Sequence, residues 1–200
     1  MRAVTPIVHG WRAMFLAAAC LISACAGSPT AASQGTISRP LVLSGQSNAL
    51  LVEPFLKSVY PQPVLTVGEN GRAIEGWSTG PSGDHWKVLA PLLQQPIQAF
   101  VWWQGESDRD NANYLNDLRD LIARVRLANN NPRLLVIEVR VLNLQQNDSV
   151  RAAQEAFVRT DTNAVLVSSD GFQDGVSDHL SDIGYQTVAQ RILDAAKVDR

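Results

Sequence analysis

Five apolar runs of strand length recur along the chain, at Leu41–Leu43, Val64–Val67, Ile97–Trp103, Leu134–Leu142 and Ala164–Val167. Several are near-continuous rather than alternating, as expected of strands covered on both faces. Between them the apolar positions change to helical spacing. Tyr114, Leu118, Leu121, Ile122 and Val125 share one face of a helix from about Ala112 to Ala128, stopped by Asn129-Asn-Asn-Pro132. Val150, Ala153, Ala156 and Phe157 mark a second, capped by Asp148 or Ser149, and Tyr185, Val188, Ala189, Ile192 and Leu193 mark the last. Strands alternating with helices imply right-handed crossovers, and so a three-layer α/β/α sandwich around a mostly parallel five-stranded sheet. No internal repeat and no second domain are visible.

The first 39 residues do not follow this pattern. Arg2, His9 and Arg12 form a basic start, and Ala13 to Ala24 is an apolar segment of signal-peptide length, too short to cross a bilayer comfortably. It ends Leu21-Ile-Ser-Ala-Cys25, which resembles the lipobox of bacterial lipoproteins. Residues 1–24 are therefore expected to be a lipoprotein signal peptide, with Cys25 the lipidated residue. Residues 25–39, rich in Ala, Ser, Gly and Thr, read as a flexible tether, and 40–200 as the folded domain. The alternative is an ordinary secretory signal cut near Ala26. Either way the protein is expected to be exported; the lipobox adds an anchor to a bacterial membrane.

Composition narrows the chemistry. A hydrophobic share of 46% in 200 residues supports one full core, and only 18% of residues are charged. Without Arg2 and Arg12, 15 basic residues face 19 acidic ones, and no basic stripe offers nucleic acid a footing. Both cysteines, Cys20 and Cys25, lie in the leader, so the domain has no disulfide, thiol nucleophile or thiolate metal site. No cofactor or metal is suggested, and oligomeric state is not legible.

The polar residues of this apolar domain concentrate just beyond the strands, where open α/β sheets bind their ligands. After the first run, Gly45-Gln-Ser47-Asn48 forms a strand-to-helix turn. Ser47 there is a candidate acyl-accepting nucleophile; the bland reading makes it a helix N-cap. A serine hydroxyl needs a neighbouring base, and the domain has two histidines. His179 sits in a loop after the fifth run that can fold back over the first, whereas His85 lies in a segment the pattern does not place. A carboxylate on the far ring nitrogen would fix the tautomer. Asp174 can reach back across a glycine-containing turn; Asp178, adjacent to His179, is the alternative. Donors for a developing oxyanion would be the Ser47 and Gly71 N–H groups and the Gln104 side-chain amide. Without their neighbours, Gly71 is a plain turn glycine and Gln104 a buried amide tying loops together.

Gly45-Gln-Ser-Asn48, Asn70-Gly-Arg-Ala-Ile-Glu-Gly-Trp77, Trp102-Trp-Gln-Gly-Glu-Ser-Asp108 and Asp174-Gly-Val176 with His179-Leu-Ser181 and Gly184-Tyr185 stand in the order and spacing of the SGNH (GDSL-like) hydrolases. The chain most resembles their sialate O-acetylesterase and acetylxylan esterase branch. The likeness implies the flavodoxin-like SGNH fold and a serine esterase that removes acetyl or other small acyl groups, with a carbohydrate ester as substrate. By it Ser47 is the nucleophile, Gly71 and Gln104 complete the oxyanion hole, and His179 is the base. One departure stands out: the family places its acid three residues before the histidine, here Val176, as though Ser177-Asp178 were inserted. That displacement favours a competing reading, a carbohydrate-binding or cell-surface protein on a degenerate scaffold. Glu106 and Asp108 are read as structural ties, with a glycosidase-like carboxylate pair the minor alternative. Trp77, Trp86, Trp102 and Trp103 are either sugar platforms or core. An α/β-hydrolase elbow is disfavoured, because Gly45-Gln-Ser-Asn-Ala49 lacks the second glycine.

Overall fold

The structure, a computed structural model, describes residues 36–78, 83–142, 144–171 and 178–197. Strands β1 (Leu41–Gly45), β2 (Val64–Gly68), β3 (Ala99–Trp103), β4 (Leu135–Val139) and β5 (Ala164–Val167) form one sheet in the order β2-β1-β3-β4-β5. Every pairing is parallel. Helices α1 (Ser47–Val59), α2 (Asp84–Leu92), α3 (Tyr114–Ala128), α4 (Asp148–Thr160) and α5 (Asp182–Ala196) flank it. The alternation of side chains along a strand sorts the core into two layers. Leu41, Leu43, Val101, Trp103, Ile137 and Val139 pack under α1 and α5, while Val42, Phe100, Trp102 and Val136 pack under α2, α3 and α4. Apolar demand on both faces explains why these strands read as continuous runs.

The expected elements hold with local differences. The fourth run pairs only over Leu135–Val139, and α3 starts at Tyr114 rather than Ala112. Helix α4 is capped by Asn147, not by Asp148 or Ser149. Ser181 caps α5, its Oγ accepting from the Gly184 N–H at 3.3 Å. Helix α2 has no sequence expectation behind it: it buries only Leu89 within its span and carries Pro91, too little periodicity to register. No helix among the described residues is long and apolar enough to cross a membrane. The expected signal peptide, Cys25 and the tether up to residue 35 lie outside the described residues.

This strand order reverses direction between β1 and β3. Such a switch point opens a crevice beyond the carboxyl ends of the two strands. The loops after β1 and β3 carry Gln46-Ser47-Asn48 and Gln104-Gly105-Glu106, so topology alone delivers both to one edge.

Candidate active site

Ser47 owes its place to the residue two before it. Gly45 has φ +149°, and a Cβ there would lie 1.9 Å from the Trp103 carbonyl oxygen, so only glycine lets β1 turn against β3. The Gln46 N–H then donates to that same oxygen at 3.1 Å, and α1 begins at once. The cap residue is Gln46, which answers the bland reading: Ser47 is the first helical residue, not the cap. Its N–H belongs to the helical turn that lacks intrahelical acceptors, where the helix dipole is positive. No acidic side chain in the first turn of α1 offsets that field.

His179 Nε2 lies 3.0 Å from Ser47 Oγ. The two residues form part of a cleft of about 750 Å³, lined also by Gln46, Leu50, Asn70, Gly71 and Arg109. Gly71 has φ +67° in a turn after β2, and a Cβ there would meet nothing; glycine answers to conformation, not space. The turn is tied to β1 by the Glu69 N–H, which donates to the Gly45 carbonyl at 3.3 Å. His85 stands elsewhere, on α2 between Glu69 and Asp84 and against the Trp77 ring.

Gln104 is wholly buried and does not line the cleft. Its Nε2 donates inward, to Gln46 Oε1 and the Arg72 carbonyl at 3.2 Å and to Asp108 Oδ2. The Gln46 oxygen also accepts from the Gly105 and Ser107 N–H groups. Gln104 therefore binds the β1 turn, the segment after Gly71 and the β3 loop together from beneath. Asp108 extends the tie, accepting from the Ile74 N–H at 2.8 Å and Asn111 at 3.1 Å.

Asp178 turns its carboxylate away from the ring beside it. Oδ1 accepts from Gln146 Nε2 at 3.2 Å and Oδ2 faces Arg109 at 3.7 Å, both at the cleft rim. Asp174, the first choice for the acid, lies outside the described residues. Glu106 is buried and accepts from Asn48 Nδ2 at 2.7 Å, while its second oxygen accepts no hydrogen bond among the described residues. Burial pushes its carboxyl up to about 7; the Asn48 hydrogen bond opposes this and the Asp178 charge adds to it.

Trp77, Trp102 and Trp103 are wholly buried, and Trp86 lies beneath the Arg124 guanidinium at 4.8 Å. None lines the cleft, and Trp77, Trp102 and Trp103 belong to the core rather than to a sugar platform there. Arg109, Leu50 and Leu51 do line it and carried no signal beyond adjacency to the quoted motifs. Among the described residues no three His, Cys, Asp or Glu side chains converge as metal ligands would.

Residues 63–197 match the family described as carbohydrate esterase, sialic acid-specific acetylesterase. The matched stretch holds His179 and begins after Ser47, which enters the site by geometry. Among solved structures, an Arabidopsis thaliana protein superposes with a TM-score of 0.66 at 17% identity, covering 80% of this chain and 98% of its own. A carbohydrate acetylesterase from Xanthomonas citri also gives 0.66, at 13% identity, covering 80% of this chain and 56% of that one. A catalytic mutant of an acetylxylan esterase from Geobacillus stearothermophilus gives 0.56 at 14% identity, covering 83% and 97%. At these identities the likeness speaks for the fold. Comparison with curated protein sequences yields no match.

Proposed function

The chain belongs to the sialic acid-specific acetylesterase family of carbohydrate esterases and is a hydrolase of ester bonds, and from that premise we propose that Ser47 and His179 cleave an acetyl or similarly small acyl ester of a sugar. The observation that carries this is the 3.0 Å contact between Ser47 Oγ and His179 Nε2 at the switch-point cleft. His179 takes the hydroxyl proton as Ser47 Oγ attacks the acyl carbon. The carbonyl oxygen becomes negative and accepts from the Ser47 and Gly71 N–H groups, at the positive end of α1. Gln104 supports that hole from behind, through its bonds to Gln46 and the Arg72 carbonyl. His179 then returns the proton to the departing sugar oxygen, and water releases the acyl group from Ser47 by the reverse sequence. Asp174 is the acid this reading assigns to the ring, because the Asp178 carboxylate is engaged by Gln146 and faces Arg109.

The cleft suits such a substrate. Leu50 and Leu51 offer an apolar wall beside Ser47 for a short acyl chain, and Ser107, Arg109 and Asp178 give the rim polar partners for sugar hydroxyls. The reading also places the enzyme outside the cytoplasm on a lipidated Cys25, which rests on the leader sequence.

Ser47→Ala tests the proposal. It should abolish hydrolysis of p-nitrophenyl acetate and labelling by a serine-directed fluorophosphonate, with an unchanged far-UV circular dichroism spectrum. A wild-type protein that resists the probe at Ser47 would favour the carbohydrate-binding reading instead.

A further inference from the structure

Asn48 follows Ser47 in the chain and is wholly buried. Its Nδ2 donates to Glu106 Oε1 at 2.7 Å and to the Asp178 carbonyl at 2.9 Å. Its Oδ1 accepts from the Tyr185 hydroxyl at 2.7 Å, and that hydroxyl in turn accepts from the Leu180 N–H at 3.3 Å. The carbonyl before His179 is thus held directly by the first turn of the helix that carries Ser47, and the amide after it through the Tyr185 hydroxyl of α5, which donates to Asn48. Three hydrogen bonds, closed by the peptide chain through His179, make a ring, and Glu106 anchors it from the β3 loop.

We propose that Asn48 and Tyr185 are positioning residues that hold the backbone on both sides of His179 in register with Ser47. This rests on the esterase reading above and goes beyond it, because neither side chain touches the reacting atoms. The chemistry requires such a device. Ser47 and His179 are 132 residues apart in sequence, and their contact depends on a loop keeping its position against α1. The asparagine amide is the right group, since it alone offers two hydrogens and an acceptor within the reach of one short side chain. Both hydrogens and the oxygen are used, so the side chain cannot rotate without breaking bonds to three separate segments. Tyr185 is fixed independently: its ring packs against Phe55 and Trp103, with centroids 6.1 and 6.0 Å away. A displacement of about 1 Å at a reacting pair costs on the order of a hundredfold in rate.

The test uses the full chain with Asn48→Ala and Tyr185→Phe. Active sites are titrated with a fluorophosphonate, turnover of p-nitrophenyl acetate is expressed per titrated site, and amide exchange is followed at Leu180. The expected result is a kcat per titrated site lowered roughly tenfold to a hundredfold, with KM within about twofold of wild type. Leu180 exchange should quicken by about tenfold or more in Tyr185→Phe. A merely structural role would lower the number of titratable sites and leave kcat per site at the wild-type value, which would overturn the proposal. Tyr185→Phe keeps the packed ring, so it decides the matter even if Asn48→Ala does not fold. A wild-type chain that neither labels nor hydrolyses removes the esterase reading. In that case Leu180 exchange still judges the tether, and equal rates in wild type and Tyr185→Phe would sink it.

Discussion

His179 Nε2 meets Ser47 Oγ at 3.0 Å across a gap between the α1 N-terminus and the loop entering α5. A base in this position is expected to contribute on the order of 10²–10⁴ in rate. His179→Asn should therefore lower kcat by that factor while binding of a non-hydrolysable ester analogue stays within severalfold. Turnover near the wild-type level would move the base elsewhere.

The two aspartates are expected to differ in their effect on turnover. Asp174→Ala is expected to lower kcat on the order of 10³–10⁴, the loss that follows when a catalytic imidazole is left without its orienting acid. Asp178→Ala removes rim contacts to Gln146 and Arg109, half exposed and worth little. Its kcat should stay within about tenfold of wild type. Parallel kinetics on the two variants decide the assignment, and a reversed order would hand the role to Asp178.

Gly71→Ala distinguishes conformation from packing. The added methyl meets no atom, so the cost is that of holding alanine at φ +67°, about 1–2 kcal/mol. If the Gly71 N–H stabilises the oxyanion, disturbing its direction costs about 2.7–4 kcal/mol in the transition state. Urea denaturation and kcat measured together should show activity falling about a hundredfold or more against a small change in stability. Loss of stability alone would return Gly71 to the role of a plain turn residue.

Glu106 should leave a signature in the pH dependence of folding. Its carboxyl is raised from 4.5 to about 7, so the folded state holds this proton more tightly than the unfolded chain does. The stabilisation is complete below pH 4.5 and is lost as pH rises towards and through 7, on the order of 3 kcal/mol in all. Glu106→Gln keeps an acceptor for Asn48 and cannot ionise, so its stability relative to wild type should improve between pH 5 and about 8. Thermal melts of the two proteins across that range check it; parallel curves would contradict the assignment.

Cys25→Ser tests the leader. Lipid chains at Cys25 would keep the protein with membranes, and the serine variant should move to the soluble fraction when cells expressing the full chain are fractionated. Retention of the variant in the membrane fraction would remove the lipoprotein reading.

Local pattern was enough for the layers, the parallel sheet and the segments that reach its edge. An apolar run closed by Gly45 dictates a strand that must turn, and Ser47 follows from that turn whatever the rest of the chain does. The same logic places the His179 loop after the fifth strand, because crossover handedness and strand length are short-range properties of the backbone. Partner choice among polar side chains obeys no such local rule. Gln104 donates to Gln46, 58 residues away, and Asn48 to the Asp178 carbonyl, 130 residues away, and neither choice is written in the spacing of its own motif. Trp77 reads equally well as platform or core until the Trp102 ring is seen edge-on against it, 5.0 Å away. Residue type supplied the possible chemistry; packing of distant segments selected which donors face the cleft and which are spent inside.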